Sequence, residues 1–158
     1  MQPLPSSMSP ISTADLHANG TPADTPRNGA PLRILMAEDN SINQRVAKLI
    51  LQRAGFNIDL VADGSEALEA HRVSPYDVIL MDCQMPTMDG FEASRQIRRL
   101  TQPQPVIIAV TANALVGERE RCLSAGMDDY LSKPFQAEQL VAVVRKWVTA
   151  RAGSKSGT

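Results

Sequence analysis

Short runs of consecutive apolar residues limit the folds open to this chain more than any other feature. The clearest lie within 33–37, 77–81 and 106–111, where apolar residues occupy successive rather than alternate positions. Strands of this kind are covered on both faces, as in parallel sheets flanked by helices. Weaker strand-like runs lie at 57–61 and 129–131. The chain therefore predicts five strands, of which the three clearest lie in the interior of a sheet.

Helical periods separate these runs. Apolar residues at 42, 46, 49 and 50 follow the i, i+4, i+7, i+8 spacing of an amphipathic helix. Asn40 or Ser41 is a suitable N-cap for this helix, and Gly55 is suited to the position just after its end. Further helices are predicted at 63–72, 90–99 and 117–125, and from an apolar period at 140–147. Five such strand–helix units form a doubly wound α/β fold with a parallel sheet.

The two ends of the chain differ from its middle in composition. Pro, Ser, Thr, Gly, Ala and Asn dominate 1–31, and 151–158 is similar. Such segments bury too little apolar area to offset the entropy lost on ordering. We therefore predict a disordered leader or linker at 1–31, one folded domain at 32–150 and a disordered tail at 151–158.

Composition excludes several classes of protein. The net charge is −1 and 21% of residues are charged, so no overall field favours nucleic acid or membrane surfaces. Apolar stretches reach about five residues, whereas a spanning helix needs about 20, and no signal peptide is evident. Cys83 and Cys122 form neither a disulfide framework nor a metal-spacing motif. We expect a cytoplasmic domain with no nucleic-acid or membrane contact.

Polar residues stand where the predicted strands end. Glu38 and Asp39 follow the first strand, Asp82 ends the third, Thr111 closes the fourth and Lys133 follows the fifth. Open α/β sheets bind ligands outside the carboxyl ends of their strands. We therefore expect these five side chains to form one site.

Three carboxylates in one site require cations. Two carboxylates about 5 Å apart repel by roughly 3 kcal/mol at an effective dielectric constant of 20. Lys133 supplies one positive charge, and carboxylate oxygens suit Mg²⁺ or Mn²⁺. No calcium-binding loop motif is present. A metal ion, a lysine and a threonine hydroxyl around one carboxylate suit phosphoryl transfer with Asp82 as the nucleophile.

Four segments of the chain resemble the receiver domain of bacterial two-component response regulators. They are ILMAEDN at 34–40, VILMDCQMPTMDG at 78–90, AVTANA at 109–114 and GMDDYLSKPF at 126–135. They follow the order and spacing of that family, and the resemblance covers 32–150. It implies a flavodoxin-like α/β fold with strand order 2-1-3-4-5 and five helices.

The resemblance implies roles for the residues that would handle the phosphoryl group. Asp82 is the phosphoacceptor, which takes a phosphoryl group from a phosphohistidine and later loses it to water. Lys133 and Thr111 hold phosphoryl oxygens. Tyr130 resembles the aromatic residue whose rotamer follows Thr111 in the switch between conformations. The Lys133–Pro134 bond resembles one that is cis in the family.

The resemblance also implies a metal site and residues that set the lifetime of the acyl phosphate. Asp39, Asp82 and the backbone carbonyl of Gln84 would ligate Mg²⁺, and Glu38 would act through metal-bound water. Gln84 and Asn113 would flank the path of the attacking water and tune how long the phosphoryl group persists.

Other polar residues are interpreted as structural. His71 is predicted to lie on the surface, and Asp129 is predicted to have a structural role. Turn or cap positions are predicted for Asp63, Asp77, Asp89 and Asp128.

Rival classes account for the site less well. A haloacid-dehalogenase-type phosphatase also uses a strand-end aspartate and Mg²⁺, but needs a second acid where this chain has Gln84. A flavodoxin-like cofactor binder needs a phosphate-cradling loop after the first strand, where Glu38 and Asp39 would repel phosphate. A degenerate receiver would be expected to lack Asp82, Lys133 or the acid pair.

The segment AEDNSINQRVA at 37–47 particularly resembles the receivers of hybrid sensor histidine kinases. No kinase catalytic domain or DNA-binding domain fits in the remaining residues, so no kinase activity is assigned to this chain. We expect the C-terminal receiver module of a hybrid kinase, with a stand-alone single-domain regulator as the alternative. The partner would be a histidine kinase, a histidine phosphotransfer protein or both, and the chain a monomer or a weak phosphorylation-dependent dimer.

Overall fold

Five strands and five helices alternate along the chain in a computed structural model that describes residues 32–101, 103–113 and 116–156. The strands are β1 (Ile34–Ala37), β2 (Ile58–Val61), β3 (Val78–Asp82), β4 (Val106–Thr111) and β5 (Asp129–Ser132). The helices are α1 (Ser41–Arg53), α2 (Gly64–Val73), α3 (Gly90–Arg98), α4 (Glu118–Ser124) and α5 (Ala137–Ser156). The predicted leader at 1–31 lies outside the described residues.

The five strands form one parallel sheet in the order β2-β1-β3-β4-β5, which confirms the predicted fold class. In this sheet β1 pairs with both β2 and β3, and Ala37 lies opposite Met81. Asp82 lies opposite Val110, and Thr111 opposite Ser132. The strand order reverses between β1 and β3, so the switch point of the sheet lies beside Ala37 and Asp82.

The sheet has a hydrophobic core on each face, which explains the consecutive apolar residues of its inner strands. On one face Leu35, Ile79 and Ile107 pack with residues of α2, α3 and α4. On the other face Ile34 and Val78 pack with residues of α1 and α5. All residues of β1, β3 and β4 are buried. The side chains of these strands must therefore be apolar on both faces of the sheet, except where a strand ends.

Helix caps set the loops that surround the carboxyl edge of the sheet. The Asn40 side chain caps α1 by accepting hydrogen bonds from two backbone N–H groups, and Asp63 and Asp89 cap α2 and α3. A Cβ atom at Gly90 would clash with the carbonyl oxygen of Asp82. Glycine at this position therefore allows α3 to begin directly against the end of β3.

The last helix extends beyond the predicted end of the domain. Helix α5 continues to Ser156, so the predicted tail at 151–158 begins too early. Arg151 explains the difference, because its guanidinium donates a hydrogen bond of 3.1 Å to the carbonyl oxygen of Gln104 and lies 3.6 Å from the Asp77 carboxylate. These contacts fix the helix to the body of the domain one residue after the predicted end. Within the described residues, no helix has the length and hydropathy needed to cross a membrane.

Candidate functional site

Of the five predicted site residues, Glu38, Asp39, Asp82 and Lys133 lie together at the carboxyl edge of the sheet. The Nζ atom of Lys133 lies 2.8 Å from Oε1 of Glu38 and 3.0 Å from Oδ2 of Asp82. Glu38 and Asp82 are only 1% and 4% exposed. One partly exposed lysine therefore bridges two buried carboxylates that belong to neighbouring strands.

The environment of Asp82 disfavours its charged form. Its Oδ1 atom accepts a hydrogen bond of 3.0 Å from the backbone N–H of Gln84, and its Oδ2 atom accepts one from Lys133. Burial raises the pKa of Asp82 to about 6, and the negative charge of Glu38 adds to the increase, although both hydrogen bonds oppose it. Any cation that joins the site would favour the ionised carboxylate.

The pKa of Glu38 is lowered, in contrast to that of Asp82. Burial alone would raise its pKa, but hydrogen bonds from Lys133 and from the backbone N–H of Asn40 lower the pKa below the usual value, with help from the Asn43 amide. Burial alone would lower the pKa of Lys133, but its contacts with Glu38 and Asp82 raise that pKa above the usual value. Of the two buried carboxylates, Glu38 is therefore the one that is ionised first and neutralises Lys133.

The acidic residues provide a donor set for a divalent cation. One carboxylate oxygen from each of Glu38, Asp39 and Asp82 lies within 4.8 Å of the others. Asp39 is exposed, so the group is open to solvent on one side. Three carboxylates against one lysine leave an excess of negative charge, and hard oxygen donors fit Mg²⁺ or Mn²⁺.

Thr111 is buried at the end of β4, but its hydroxyl does not point to the acid–lysine group formed by Glu38, Asp82 and Lys133. Oγ1 of Thr111 donates a hydrogen bond of 3.1 Å to Oε2 of Glu118 and accepts one of 3.0 Å from the backbone N–H of Asn113. Glu118 is a buried carboxylate at the start of α4 that the sequence pattern does not indicate. Its spacing from Thr111 in the chain matches no motif that would have revealed it.

Among the described residues, the side chains of the remaining predicted residues surround the site without joining its hydrogen bonds. Gln84 is exposed in the loop after β3, and Asn113 is half-buried after β4. Tyr130 on β5 packs against the core on the side of α2, α3 and α4. The Lys133–Pro134 peptide bond is cis, as the resemblance implied.

The fold and the site together define a class of protein. A parallel sheet of order 2-1-3-4-5 defines a flavodoxin-like domain, and the acidic cluster lies at its switch point, where such folds bind ligands. Residues 34–145 match the response regulator receiver domain family, which is more than half of the chain. The chain belongs to this family.

Similar proteins include histidine kinases that are much longer than this chain. Hybrid signal transduction histidine kinase B of Dictyostelium discoideum is 39% identical over a 127-residue alignment that covers 72% of this chain and 6% of the kinase. Sensor histidine kinase GacS of Pseudomonas protegens is 39% identical over a 135-residue alignment that covers 82% of this chain and 14% of the kinase. Because these relatives come from a eukaryote and a bacterium, the similarity does not restrict the chain to bacteria.

Solved structures show the same fold. The receiver domain of a sensor histidine kinase from Pseudomonas aeruginosa, with a magnesium ion coordinated in its active-site cleft, is 45% identical with a TM-score of 0.70, over 76% of this chain and 99% of that one. A second match is a co-crystal structure from Saccharomyces cerevisiae. It contains the histidine phosphotransfer protein Ypd1 and the receiver domain of Ssk1, and its matched chain is 30% identical to this chain with a TM-score of 0.71. The match covers 77% of this chain and 91% of that one.

Proposed function

We propose that this domain accepts a phosphoryl group from a phosphohistidine onto Asp82, changes conformation and then loses the group to water. The observation that carries the proposal is the position of Lys133 Nζ, which contacts both buried carboxylates, 2.8 Å from Glu38 and 3.0 Å from Asp82. A buried strand-end carboxylate needs such a partner. A lysine at this point also neutralises charge that develops on a transferring phosphoryl group.

The chemical step is a displacement at phosphorus. The ionised Asp82 carboxylate attacks, a P–O bond forms, the P–N bond of the phosphohistidine breaks, and the imidazole leaves with its electron pair and takes up a proton. The raised pKa of Asp82 means that cations in the site govern how much of the nucleophile is ionised. Lys133 provides one such charge and remains close enough to contact a phosphoryl oxygen.

The residues that would hold Mg²⁺ are Asp39, Asp82 and the backbone carbonyl of Gln84, with Glu38 acting through a water. The clustered oxygens of the three carboxylates support this assignment, as does the magnesium ion in the receiver domain from P. aeruginosa. When bound, the ion neutralises the carboxylates and the equatorial phosphoryl oxygens. Asp39 is the exposed member of the group and therefore the one that an arriving hydrated ion meets first.

Phosphorylation would switch the domain through Thr111 and Tyr130. The Thr111 hydroxyl now donates to Glu118, and a phosphoryl group on the adjacent strand would offer a stronger acceptor. Movement of Thr111 would leave space toward β5, where Tyr130 is partly buried. Gln84 and Asn113 lie on the two loops beside Asp82 and Thr111, from which they would control the approach of the hydrolytic water.

The face of α1 next to the site would dock the protein that carries the phosphohistidine. Ile42, Val46 and Leu49 are large apolar residues of α1 that are 69%, 46% and 50% exposed. Val46 also lines a cavity of about 570 Å³ together with Lys133, so this apolar surface reaches the acid–lysine group. The Ssk1 receiver binds a histidine phosphotransfer protein. We assign the surface to a histidine phosphotransfer protein or the equivalent domain of a kinase.

The similarity to hybrid kinases favours a receiver module of such a kinase over a stand-alone regulator. The two buried free thiols suit a reducing compartment, so we place the domain in the cytoplasm. Sequencing the DNA upstream of the Met1 codon distinguishes the two origins. Continuous kinase-coding sequence there supports the hybrid kinase, and a promoter with no such sequence supports the stand-alone regulator.

Phosphorylation with acetyl phosphate and Mg²⁺, followed by mass spectrometry, tests the proposed function. We expect one phosphoryl group per chain, on Asp82, and none in Asp82→Asn. Asp63→Asn is a matched control because asparagine caps a helix as well as aspartate does. Labelling that persists in Asp82→Asn would show that the phosphoacceptor is another residue.

A further inference from the structure

A second cluster of metal-binding side chains lies beneath the carboxyl edge of the sheet. One ligand atom from each of Cys83, Glu118 and Cys122 lies within 4.8 Å of the others, and all three residues are buried. The cluster shares no side chain with the acid–lysine group. The proposed phosphoryl transfer uses neither of the two thiols.

The local structure brings the three ligands together for simple reasons. Glu118 and Cys122 are separated by four residues on α4, so they project from the same side of the helix. Cys83 directly follows β3, where its backbone N–H donates a hydrogen bond of 2.9 Å to the carbonyl oxygen of Val110 on β4. The strand end and the helix thus present two thiols and one carboxylate to a common point.

The donor set differs in chemistry from that of the acidic group. Two sulfur atoms and one carboxylate oxygen suit a thiophilic divalent cation such as Zn²⁺, which binds thiolate, imidazole and carboxylate ligands in a tetrahedral arrangement. Mg²⁺ prefers oxygen donors and keeps several waters. The two clusters therefore discriminate between the two kinds of cation.

We propose that Cys83, Cys122 and Glu118 form a binding site for one thiophilic divalent cation. The fourth tetrahedral position is filled by water. Binding converts the two thiols to thiolates, so one dication enters and two protons leave, and the net charge of the site stays at −1. This site goes beyond the proposed phosphoryl transfer and does not depend on it.

The surroundings provide access and an outer shell. A surface cavity of about 270 Å³, lined in part by Cys83 and Gln84, gives a route to the thiol from solvent. The carboxylate of Glu118 is oriented by the 3.1 Å hydrogen bond that it accepts from Thr111. Ligating carboxylates are commonly held by such partners, and losing the partner typically weakens metal binding about 10–100-fold.

Titration of the full reduced chain with Cd²⁺ tests the proposal. Cys83 and Cys122 are the chain's two cysteines, so thiolate-to-cadmium charge-transfer absorbance reports this site alone. We expect the absorbance to saturate at one ion per chain, with two protons released per ion. It should persist in Asp82→Asn, which alters the acidic group, and disappear in Cys122→Ser. Absence of the absorbance in the unaltered chain, or saturation at one ion per two chains, would overturn the proposal.

Two further measurements keep the test valid if Cys122→Ser fails to fold. X-ray absorption spectroscopy of the zinc-loaded unaltered chain should find two sulfur and two oxygen neighbours around the metal. Thr111→Val, which removes the partner of Glu118, should weaken Cd²⁺ binding about 10-fold or more. A zinc ion surrounded by oxygen atoms alone, or unchanged affinity in Thr111→Val, would show that the thiol–carboxylate cluster is not organised as proposed.

Discussion

Thr111 donates a hydrogen bond of 3.1 Å to Oε2 of Glu118, and both residues are buried. In the proposed switch the same hydroxyl moves to a phosphoryl oxygen, so the bond to Glu118 must break first. Hydrogen bonds to charged groups contribute about 1.5–3 kcal/mol. Glu118 therefore stabilises the arrangement of Thr111 that precedes phosphorylation.

Replacing Glu118 by alanine should favour the phosphorylated arrangement. We expect Glu118→Ala to bind beryllofluoride, which mimics the phosphoryl group, roughly 10-fold more tightly, equivalent to about 1.4 kcal/mol. Calorimetric titration in buffer that contains Mg²⁺ as the sole divalent cation measures this affinity. Glu120→Ala, an exposed glutamate on the same helix, is the matched control and should bind as the unaltered chain does. Equal or weaker binding by Glu118→Ala would contradict the role of Glu118.

Removing Lys133 should separate its role in stability from its role in the switch. Lys133→Ala leaves Glu38 and Asp82 buried without their shared cation, and breaking a buried pair typically costs about 3–5 kcal/mol. Urea unfolding should show this loss, and Mg²⁺ should recover part of it. Phosphorylation of Asp82 should persist while the conformational response is lost.

A second lysine provides the control for this substitution. Lys146 pairs with Asp129 at 3.1 Å, but its side chain is 63% exposed, so Lys146→Ala should cost less than about 1 kcal/mol. Abolition of Mg²⁺ binding in Lys133→Ala would mean that the lysine, rather than the carboxylates, organises the metal site.

The inner strands could be predicted because strands that are buried on both faces consist of consecutive apolar residues. The structure moves the start of β1 from 33 to Ile34 and the end of β3 from 81 to Asp82, and β4 keeps its predicted bounds of 106–111. Side chains on both faces of an inner strand of a parallel sheet are buried, so they must be apolar. A polar residue in such a run therefore marks the strand's end, which is why Glu38 and Asp82 could be placed from the sequence.

Residues whose environment depends on packing between distant segments could not be predicted. The sequence predicts a surface position for His71, but this residue is fully buried: its ring contacts the carbonyl oxygen of Pro103 and accepts a hydrogen bond from the Tyr76 backbone N–H. Cys83 and Cys122 carried no metal-spacing motif, since their proximity arises from the packing of α4 against the end of β3. The spacing of residues along the chain does not indicate such tertiary contacts.

The raised pKa of Asp82 predicts an unusual dependence of stability on pH. Between pH about 4 and about 6 the folded carboxyl keeps a proton that the unfolded chain has lost. Protonated Asp82 therefore makes its full contribution to the free energy of unfolding below about pH 4. This contribution is lost as the pH rises through about 6. At pH 7 without Mg²⁺, Asp82→Asn should be more stable than the unaltered chain by up to roughly 3 kcal/mol, the equivalent of about two pKa units.

Urea unfolding across this pH range measures the effect. The difference between the two proteins should shrink as the pH falls toward 4, and Mg²⁺ should stabilise the unaltered chain much more than Asp82→Asn, because it binds the folded carboxylate. A constant difference between pH 4 and 7 would mean that burial does not hold the proton on Asp82.

The exposed apolar face of α1 yields a prediction that separates docking from chemistry. Val46→Asp places a charge in the centre of the surface formed by Ile42, Val46 and Leu49. We expect phosphotransfer from a phosphorylated histidine phosphotransfer protein to slow at least about 10-fold, since a buried unpaired charge opposes association by more than 1.4 kcal/mol. Phosphorylation by acetyl phosphate, which needs no docking surface, should keep its rate.

The matched control for this surface lies on another helix. Val73, at the end of α2, is 71% exposed, so Val73→Asp adds the same charge away from α1 and should leave both reactions unchanged. Both rates, with the phosphotransfer protein and with acetyl phosphate, are measured from radiolabelled donors in reactions that are quenched at successive times. If Val46→Asp slows acetyl phosphate as much as the protein donor, the charge acts on Asp82 chemistry itself. If it slows neither, the phosphohistidine partner approaches Asp82 over a different face.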